Sequence, residues 1–356
     1  MTEAAAVSAT PTLQWDWGTA YELFVSLHVL HEPEYYDVRA SWAAGIRSRI
    51  PAAERKFLEE VLPFLGIPVR WIHRLPQPKD AITALWALRQ LPPEKRVEIM
   101  VCLEEWDAPE AKVLAHIAES QAWGKEDLEG LSKFEQKVQT GEVRGSLERY
   151  LDWWARPQEF GEMLVSALQA YFQAFFEEEE KRVAPVLQAG LERARGLAAR
   201  LSIPELIAEL SQGVHLEELK FTELTLAPAY WTTPLVIFEH IGKDQMLFLF
   251  GARPADMSAI PGEVVPDALL RTLKALADTT RLKILHYIQE KPYTPSELAR
   301  KLRLRAPTVT HHLSQLRLAG LVHMNIKGQE KFYTTRLEAL DAACSQLKDF
   351  LQSPQA

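Results

Sequence analysis

Residues 294–336 read TPSELARKLRLRAPTVTHHLSQLRLAGLVHMNIKGQEKFYTTR, a stretch in which a helix start, a tight turn, a second helix and a hairpin follow one another. Thr294-Pro295-Ser296-Glu297 is a capping box with proline at the first helical position. In such a box the threonine hydroxyl and the glutamate carboxylate reciprocally satisfy orphan backbone N–H groups. A helix is therefore expected from Thr294, with Leu298, Ala299 and Leu302 as its apolar stripe. Leu304-Arg305-Ala306 supplies the turn, and Pro307 opens a second helix along which Val309, Leu313, Leu316 and Gly320 recur at helical spacing. At about 100° per residue, Val309, His312, Leu313 and Leu316 face one way. Pro307, His311, Ser314, Gln315 and Leu318 face the other.

Segments 321–326 and 331–335 are rich in β-formers, and Lys327-Gly328-Gln329-Glu330 between them holds a glycine suited to a hairpin turn. The order is that of a winged helix-turn-helix. The outward face of the second helix carries hydroxyls, an imidazole and an amide, which are groups able to read base edges in a major groove. Thr308, Thr310, His311, Ser314 and Gln315 are thus the expected base-reading set. Arg305 in the turn, Lys327 and Lys331 in the wing, and Arg317 are the expected cationic contacts. Arg300, Lys301, Arg303 and Arg336 add to a charge large enough to neutralise several phosphates. A basic patch on such a motif is the footprint of a nucleic-acid binder. The plainer alternative is a small basic domain that only solvates its charges.

Extended backwards to Leu273-Lys274-Ala275-Leu276-Ala277-Asp278-Thr279-Thr280-Arg281-Leu282-Lys283-Ile284-Leu285, the pattern resembles the ArsR family of bacterial transcriptional regulators. Thr308-Val309-Thr310-His311-His312-Leu313 and Leu316-Arg317-Leu318-Ala319-Gly320-Leu321-Val322 complete the likeness, over about residues 266 to 351. The resemblance implies double-stranded DNA as partner, with an inverted-repeat operator. It also implies a homodimer built by the helices before and after the motif, and repression relieved by an inducer. Two features depart from the family. Arg305 stands where a serine often caps the recognition helix. The metal positions are also vacant: the first motif helix has Glu297-Leu298-Ala299-Arg300 where arsenic sensors have a Cys-x-Cys pair. The last helix offers Asp341 and Cys344 without histidine where zinc sensors place Asp and His. A defined site needs three or four converging ligands, so no metal and no cofactor is expected.

A chain of 356 residues exceeds one small winged helix. From Val264 onwards 14 Lys and Arg stand against 8 Asp and Glu, or +6; with the whole chain at −8, the remainder carries −14. The basic part would be drawn to DNA and the acidic part repelled by it, an asymmetry that argues for two jobs in one polypeptide. Two cysteines, Cys102 and Cys344, lie in unlike contexts, which fits a reducing compartment. The N-terminus lacks the pattern of a secretory signal, and no apolar run approaches the ~18 residues of a membrane span. A soluble, cytoplasmic protein without membrane contact is expected.

The expected fold class is mainly α with small β elements (α+β). Residues 1–12 read as a disordered tail, 13–252 as a mainly helical regulatory or oligomerisation domain, 253–266 as a Pro/Gly linker and 267–351 as the winged helix. Helical segments run from Trp15 and Trp17 onwards, with Pro51, Pro78, Pro93 and Pro109 introducing helices at the tolerated first-turn position. A long helical pattern from 158 to 201 should kink or break at Pro185. Within it Glu177 to Glu180, followed by Lys181 and Arg182, read as a solvated face paired at i,i+4. Between 219 and 251, segments 220–226, 235–240 and 245–250 read as a small antiparallel sheet.

This N-terminal part holds no P-loop, dinucleotide fingerprint, nucleophile elbow or HExxH, so no catalytic residue is assigned. His28 and His31 with Glu32 have the types of two or three metal ligands, but surface or helix-end capping is the commoner role. Trp15, Trp17, Tyr21, Tyr35, Tyr36, Trp42, Tyr230 and Trp231 are either ordinary core or the lining of an effector pocket. Taken together, the residues describe a transcriptional regulator, a repressor, whose N-terminal part senses a small-molecule effector or a protein partner. The alternatives are an enzyme, or an interaction adaptor, fused to a DNA-binding winged helix.

Overall fold

A computed structural model describes residues 11–106, 108–139, 145–216, 219–327 and 330–352. The chain forms two compact units, 17–185 and a second built from 1–16 with 186–356.

The first unit is helical: α1 (Thr19–His31), α2 (Ala40–Arg47), α3 (Ala52–Val61), α4 (Val69–His73), α5 (Ala81–Gln90), α6 (Arg96–Met100), α7 (Pro109–Ser120), α8 (Lys125–Gly130), α9 (Ser132–Gln139), α10 (Leu147–Trp154) and α11 (Pro157–Tyr171). A π-helical segment, Phe172–Phe176, leads into α12 (Glu177–Ala198). Aromatic residues dominate the core around α11. Phe160 meets Phe57 at 5.7 Å and Trp154 at 5.7 Å between ring centres, in edge-on geometry. Gly161 lets α11 approach the 93–95 turn so closely that a Cβ there would lie 1.8 Å from the Pro93 carbonyl oxygen. Helix α12 runs through Pro185 without a break, and the π segment lies thirteen to nine residues before that proline. Pro109 does open its helix, whereas α5 starts at Ala81 on an Asp80 cap (Thr83 N to Asp80 Oδ1, 2.7 Å) and Pro78 lies outside it.

The glutamate run at the start of α12 is not simply a solvated face. Glu179 is 3% exposed and accepts from Arg182 Nε at 2.8 Å, an i,i+3 pair. Glu180 turns inward to accept from the Ala81 backbone N–H at 2.9 Å and from the Thr19 hydroxyl at 2.5 Å, so it holds two helix starts together.

The second unit holds a four-stranded sheet of β1 (Thr12–Trp15), β3 (Glu223–Ala229), β4 (Ile237–Gly242) and β5 (Gln245–Gly251), in the order β1-β3-β5-β4. Strands β1 and β5 pair parallel to β3, and only β4 with β5 is antiparallel. The sheet is therefore mixed and not purely antiparallel. Its central strand, buried almost throughout, is the apolar run expected where both faces are covered. Helix α13 (Ile203–Leu210) packs on it through Leu206, Ile207 and Leu210. Trp15, expected to begin a helix, lies in β1 with the Arg195 guanidinium 5.6 Å from its ring centre. The start of the expected tail, residues 1–10, lies outside the described residues.

The stretch 253–266 differs from a linker in being tied down at both ends. Arg253 is buried, donates to the Thr233 carbonyl at 2.8 Å and pairs with Asp267 at 3.4 Å. Asp267 also accepts from Ser258 Oγ and Ala259 N, at 2.8 and 2.7 Å.

Beyond it come α14 (Asp267–Leu276), α15 (Thr279–Glu290), α16 (Pro295–Leu302), α17 (Ala306–Leu318), the hairpin of β6 (Val322–Lys327) and β7 (Glu330–Thr335), and α18 (Leu337–Gln352). A further strand, β2 (Val214–Leu216), adds parallel to β6 and makes the wing a three-stranded sheet in the order β2-β6-β7.

Candidate nucleic-acid interface

The capping box forms as its residues require. Thr294 Oγ1 accepts from Glu297 N at 3.3 Å, and Glu297 Oε2 accepts from Thr294 N at 2.8 Å. The Thr294 N–H, and the Thr294 hydroxyl that donates to Glu297 Oε2 at 3.0 Å, hold the Glu297 carboxyl below its ordinary pKa. Helix α16 ends at Arg303 in the left-handed region (φ 57°), and α17 begins at Ala306 with Pro307 in its first turn. Arg305 occupies the N-cap position and makes no side-chain capping hydrogen bond. The first N–H groups of the helix therefore face outward without a side-chain acceptor from that residue.

Val309, Leu313 and Leu316 are fully buried against Ile284, Leu285, Leu298, Leu321 and Val322. That packing fixes the rotation of α17, and with it which residues face solvent. Thr308, Thr310, His311 and Ser314 are exposed, together with Arg305 in the turn and Lys327 and Lys331 on the wing. Gln315 and Arg317 are half-buried. Leu318 differs from the expected outward placement: it is 8% exposed and belongs to the core side near the end of the helix. His312 lies inward as expected, with Nδ1 3.9 Å from Asp278 Oδ1. Burial lowers its pKa, while the Asp278 carboxylate pulls the other way. Asp278 in turn caps α15, accepting from Arg281 N at 2.8 Å.

Not every cation of the motif is available to a ligand. Lys301 Nζ donates to Tyr293 Oη at 3.0 Å and sits 4.2 Å from the Tyr287 ring centre. Arg336 Nε bonds Glu338 at 3.0 Å. The wing pairs Val322 with Thr335 through to Lys327 with Glu330, and a bridge from Tyr293 to Tyr333 ties it back to the helices. Gly328 and Gln329, expected to make its turn, lie outside the described residues.

The other candidates are dispersed. His28 and His31 are not surface groups: burial lowers both pKa values to about 4, and His31 Nδ1 bonds the Leu27 carbonyl at 2.8 Å. Tyr21, Tyr230 and Trp231 are core. Trp17, Tyr36 and Trp42 are half-buried, Trp42 edge-on to Phe175 at 5.8 Å, while Tyr35 is exposed. Asp341 and Cys344 are exposed on α18. Among the described residues no group of three or more His, Cys, Asp and Glu is placed to hold a metal ion, and no helix is long and apolar enough to cross a membrane.

Residues 278–324 match the model of bacterial regulatory proteins of the arsR family, and residues 19–224 match a family of unknown function, DUF5937. Among curated relatives, the regulator KmtR of Mycobacterium tuberculosis is 36% identical over 70 residues, 20% of this chain and 52% of that protein. The regulator CmtR of Mycobacterium bovis is 36% identical over 85 residues, 24% of this chain and 72% of that protein. The repressor SdpR of Bacillus subtilis is 28% identical over 78 residues, 22% of this chain and 87% of that protein. The match thus spans about half of the first of these relatives and more of the others. Among solved structures, a homodimeric winged helix-turn-helix domain from M. bovis, described as a possible ArsR-family regulator, is 21% identical, covers 25% of this chain and 87% of that one, with a TM-score of 0.21. HlyU from Vibrio cholerae is 30% identical and covers 24% and 91%, with a TM-score of 0.20. The chain belongs to the DUF5937 family and carries, at its C-terminal end, a helix-turn-helix domain of the ArsR family.

Proposed function

We propose that the protein is a DNA-binding transcriptional regulator, a cytoplasmic repressor that occupies an inverted-repeat operator as a homodimer. The observation that carries this reading is the division of α17. Its apolar residues are locked in the core, while Thr308, Thr310, His311 and Ser314 stand out from one surface, flanked by Arg305, Lys327 and Lys331. Side chains at the N-terminal half of such a helix enter the major groove. The cations at turn and wing meet phosphates and set position.

Dimerisation is supported by two helices. No residue of α18 is buried, and Leu337 and Leu351 are 49% and 72% exposed. On α14, Leu270 and Leu273 are 40% and 41% exposed. A two-fold pairing through these faces would set two recognition helices about one DNA turn, ~34 Å, apart. Selection from a random duplex pool is expected to enrich an inverted repeat with that spacing, and enrichment of a single unrepeated half would defeat the dimer. Leu337→Glu with Leu351→Glu should halve the mass seen by light scattering.

The unit 17–185 is the sensing part, and a protein partner is the reading favoured by Ile82 and Trp86, which lie one turn apart on α5 at 64% and 57% exposure. Ile82→Asp with Trp86→Asp should leave operator binding intact and abolish regulation in cells.

A further inference from the structure

A cluster outside the DNA face joins β2 to the wing. His215 Nε2 and His323 Nδ1 lie 3.1 Å apart across the parallel β2–β6 pair. His323 Nε2 is 3.3 Å from Glu338 Oε1, which also accepts from Arg336. Both imidazoles line a pocket of about 340 Å3 whose other charged walls are Glu205 and Glu209 of α13 with Arg336 and Glu338. The ring of His323 is seated against Gly213, where a Cβ would lie 2.9 Å from Nδ1; the φ of +108° at that residue also favours glycine. The Gly213 carbonyl accepts from Met324 N at 2.8 Å, which fastens the start of β2 to β6.

We propose that His215 and His323 form a proton-operated latch, closed while their imidazoles share one hydrogen bond and released when both rings are protonated, so that β2 separates from the wing sheet in acid. A neutral imidazole has one donor and one acceptor nitrogen, whereas the protonated ring has two donors. The contact therefore needs at least one neutral ring. With both charged, two N–H groups and two positive charges face each other across the same gap. Glu338 faces the other nitrogen of His323 and favours a proton on that ring. Burial, His215 and Arg336 oppose that proton, and the His323 pKa lies below its ordinary value. Glu205 and Glu209 of α13 line the same pocket as His215, and with a proton on both rings the shared bond is lost. Strand β2 pairs over three residues only, and besides this pairing it is held by the burial of Val214 in the core. Any effect on DNA affinity would rest in addition on the reading of the wing as a DNA contact, so the test is made on the protein alone.

The reporter is the Met324 amide in the full chain, followed by hydrogen exchange and expressed as protection relative to the intrinsic rate. From about pH 7 to about pH 5, its protection should fall about tenfold while that of Ile284, in the core of the same domain, falls less. His215→Gln keeps a neutral hydrogen-bonding group and should abolish that differential loss; His323→Gln serves the same purpose if the first variant folds poorly. Imidazole 15N shifts of His215 and His323 should report when each ring gains its proton. Unchanged Met324 protection while both rings titrate, or an equal loss in both glutamine variants, would overturn the latch.

Discussion

Polar side chains of the same types face opposite ways in the two halves of the molecule. On α1, His28 and His31 are half-buried and desolvated, and on α12 Glu179 and Glu180 turn inward to hold Arg182, Ala81 and Thr19. On α17, His311 and its hydroxyl neighbours stand in solvent on a helix whose other face is fixed by three buried aliphatic residues. A histidine in the first setting stabilises or threatens the fold; in the second its ring neighbour within the domain is His312, 6.1 Å away between centres. Burial, and not residue type, separates a structural polar group from one placed for a ligand.

The largest expected effect tests the buried side of that contrast. Because the folded pKa values of His28 and His31 lie at about 4, below the ordinary 6.5, the unfolded chain takes up protons that the folded chain refuses as the pH falls between those values. Stability should therefore be unaffected above about pH 7 and decline below it, by about 3 kcal/mol per ring once pH 4 is reached. Urea unfolding of the full chain and of His28→Leu at a series of pH values checks this; a flat profile would mean that the rings are not buried.

Next comes the core that aims the recognition helix. Leu313→Ala should destabilise the winged helix by about 2–5 kcal/mol. Thr294→Ala, which removes the cap of α16, should cost about 1 kcal/mol. His312→Ala separates the two faces of α17: it should lower stability by about 1 kcal/mol through its packing beside Asp278, with sequence preference unchanged. Thermal unfolding with paired operator titrations would show whether loss of stability and loss of specificity divide in this way.

Much of the winged helix is legible in the sequence because its signals are local. The Thr294 capping box, the proline in the first turn of α17 and the helical spacing of Val309, Leu313 and Leu316 each involve residues within one or two turns. The mixed sheet is not legible in the same way. Alternation and apolar runs mark β3, β4 and β5, but they do not say which strand pairs with which or in what direction. One parallel partner of β3, Thr12–Trp15, lies more than 200 residues away along the chain. Strand β2 is too short to carry a period, so the latch histidine His215 had no signal beyond its residue type. Leu318 was misplaced by an isolated-helix wheel, which knows nothing of what packs against the end of α17. The inward turn of Glu180 depends on two helix starts far away in sequence.

The smaller effects lie at the exposed face of α17 and the wing. Lys327→Ala should weaken binding to operator and random duplex alike and lower the salt slope by about one. Thr308→Ala or His311→Ala should lower operator affinity by about 1–3 kcal/mol and leave random DNA almost unaffected. Fluorescence anisotropy of His311→Ala and Lys327→Ala on operator and scrambled duplexes, at several salt concentrations, tests the division of α17 and wing most directly. The account predicts an operator-only loss for His311→Ala and a loss on both duplexes for Lys327→Ala. Equal loss on both duplexes for His311→Ala, with an operator-only loss for Lys327→Ala, would contradict it.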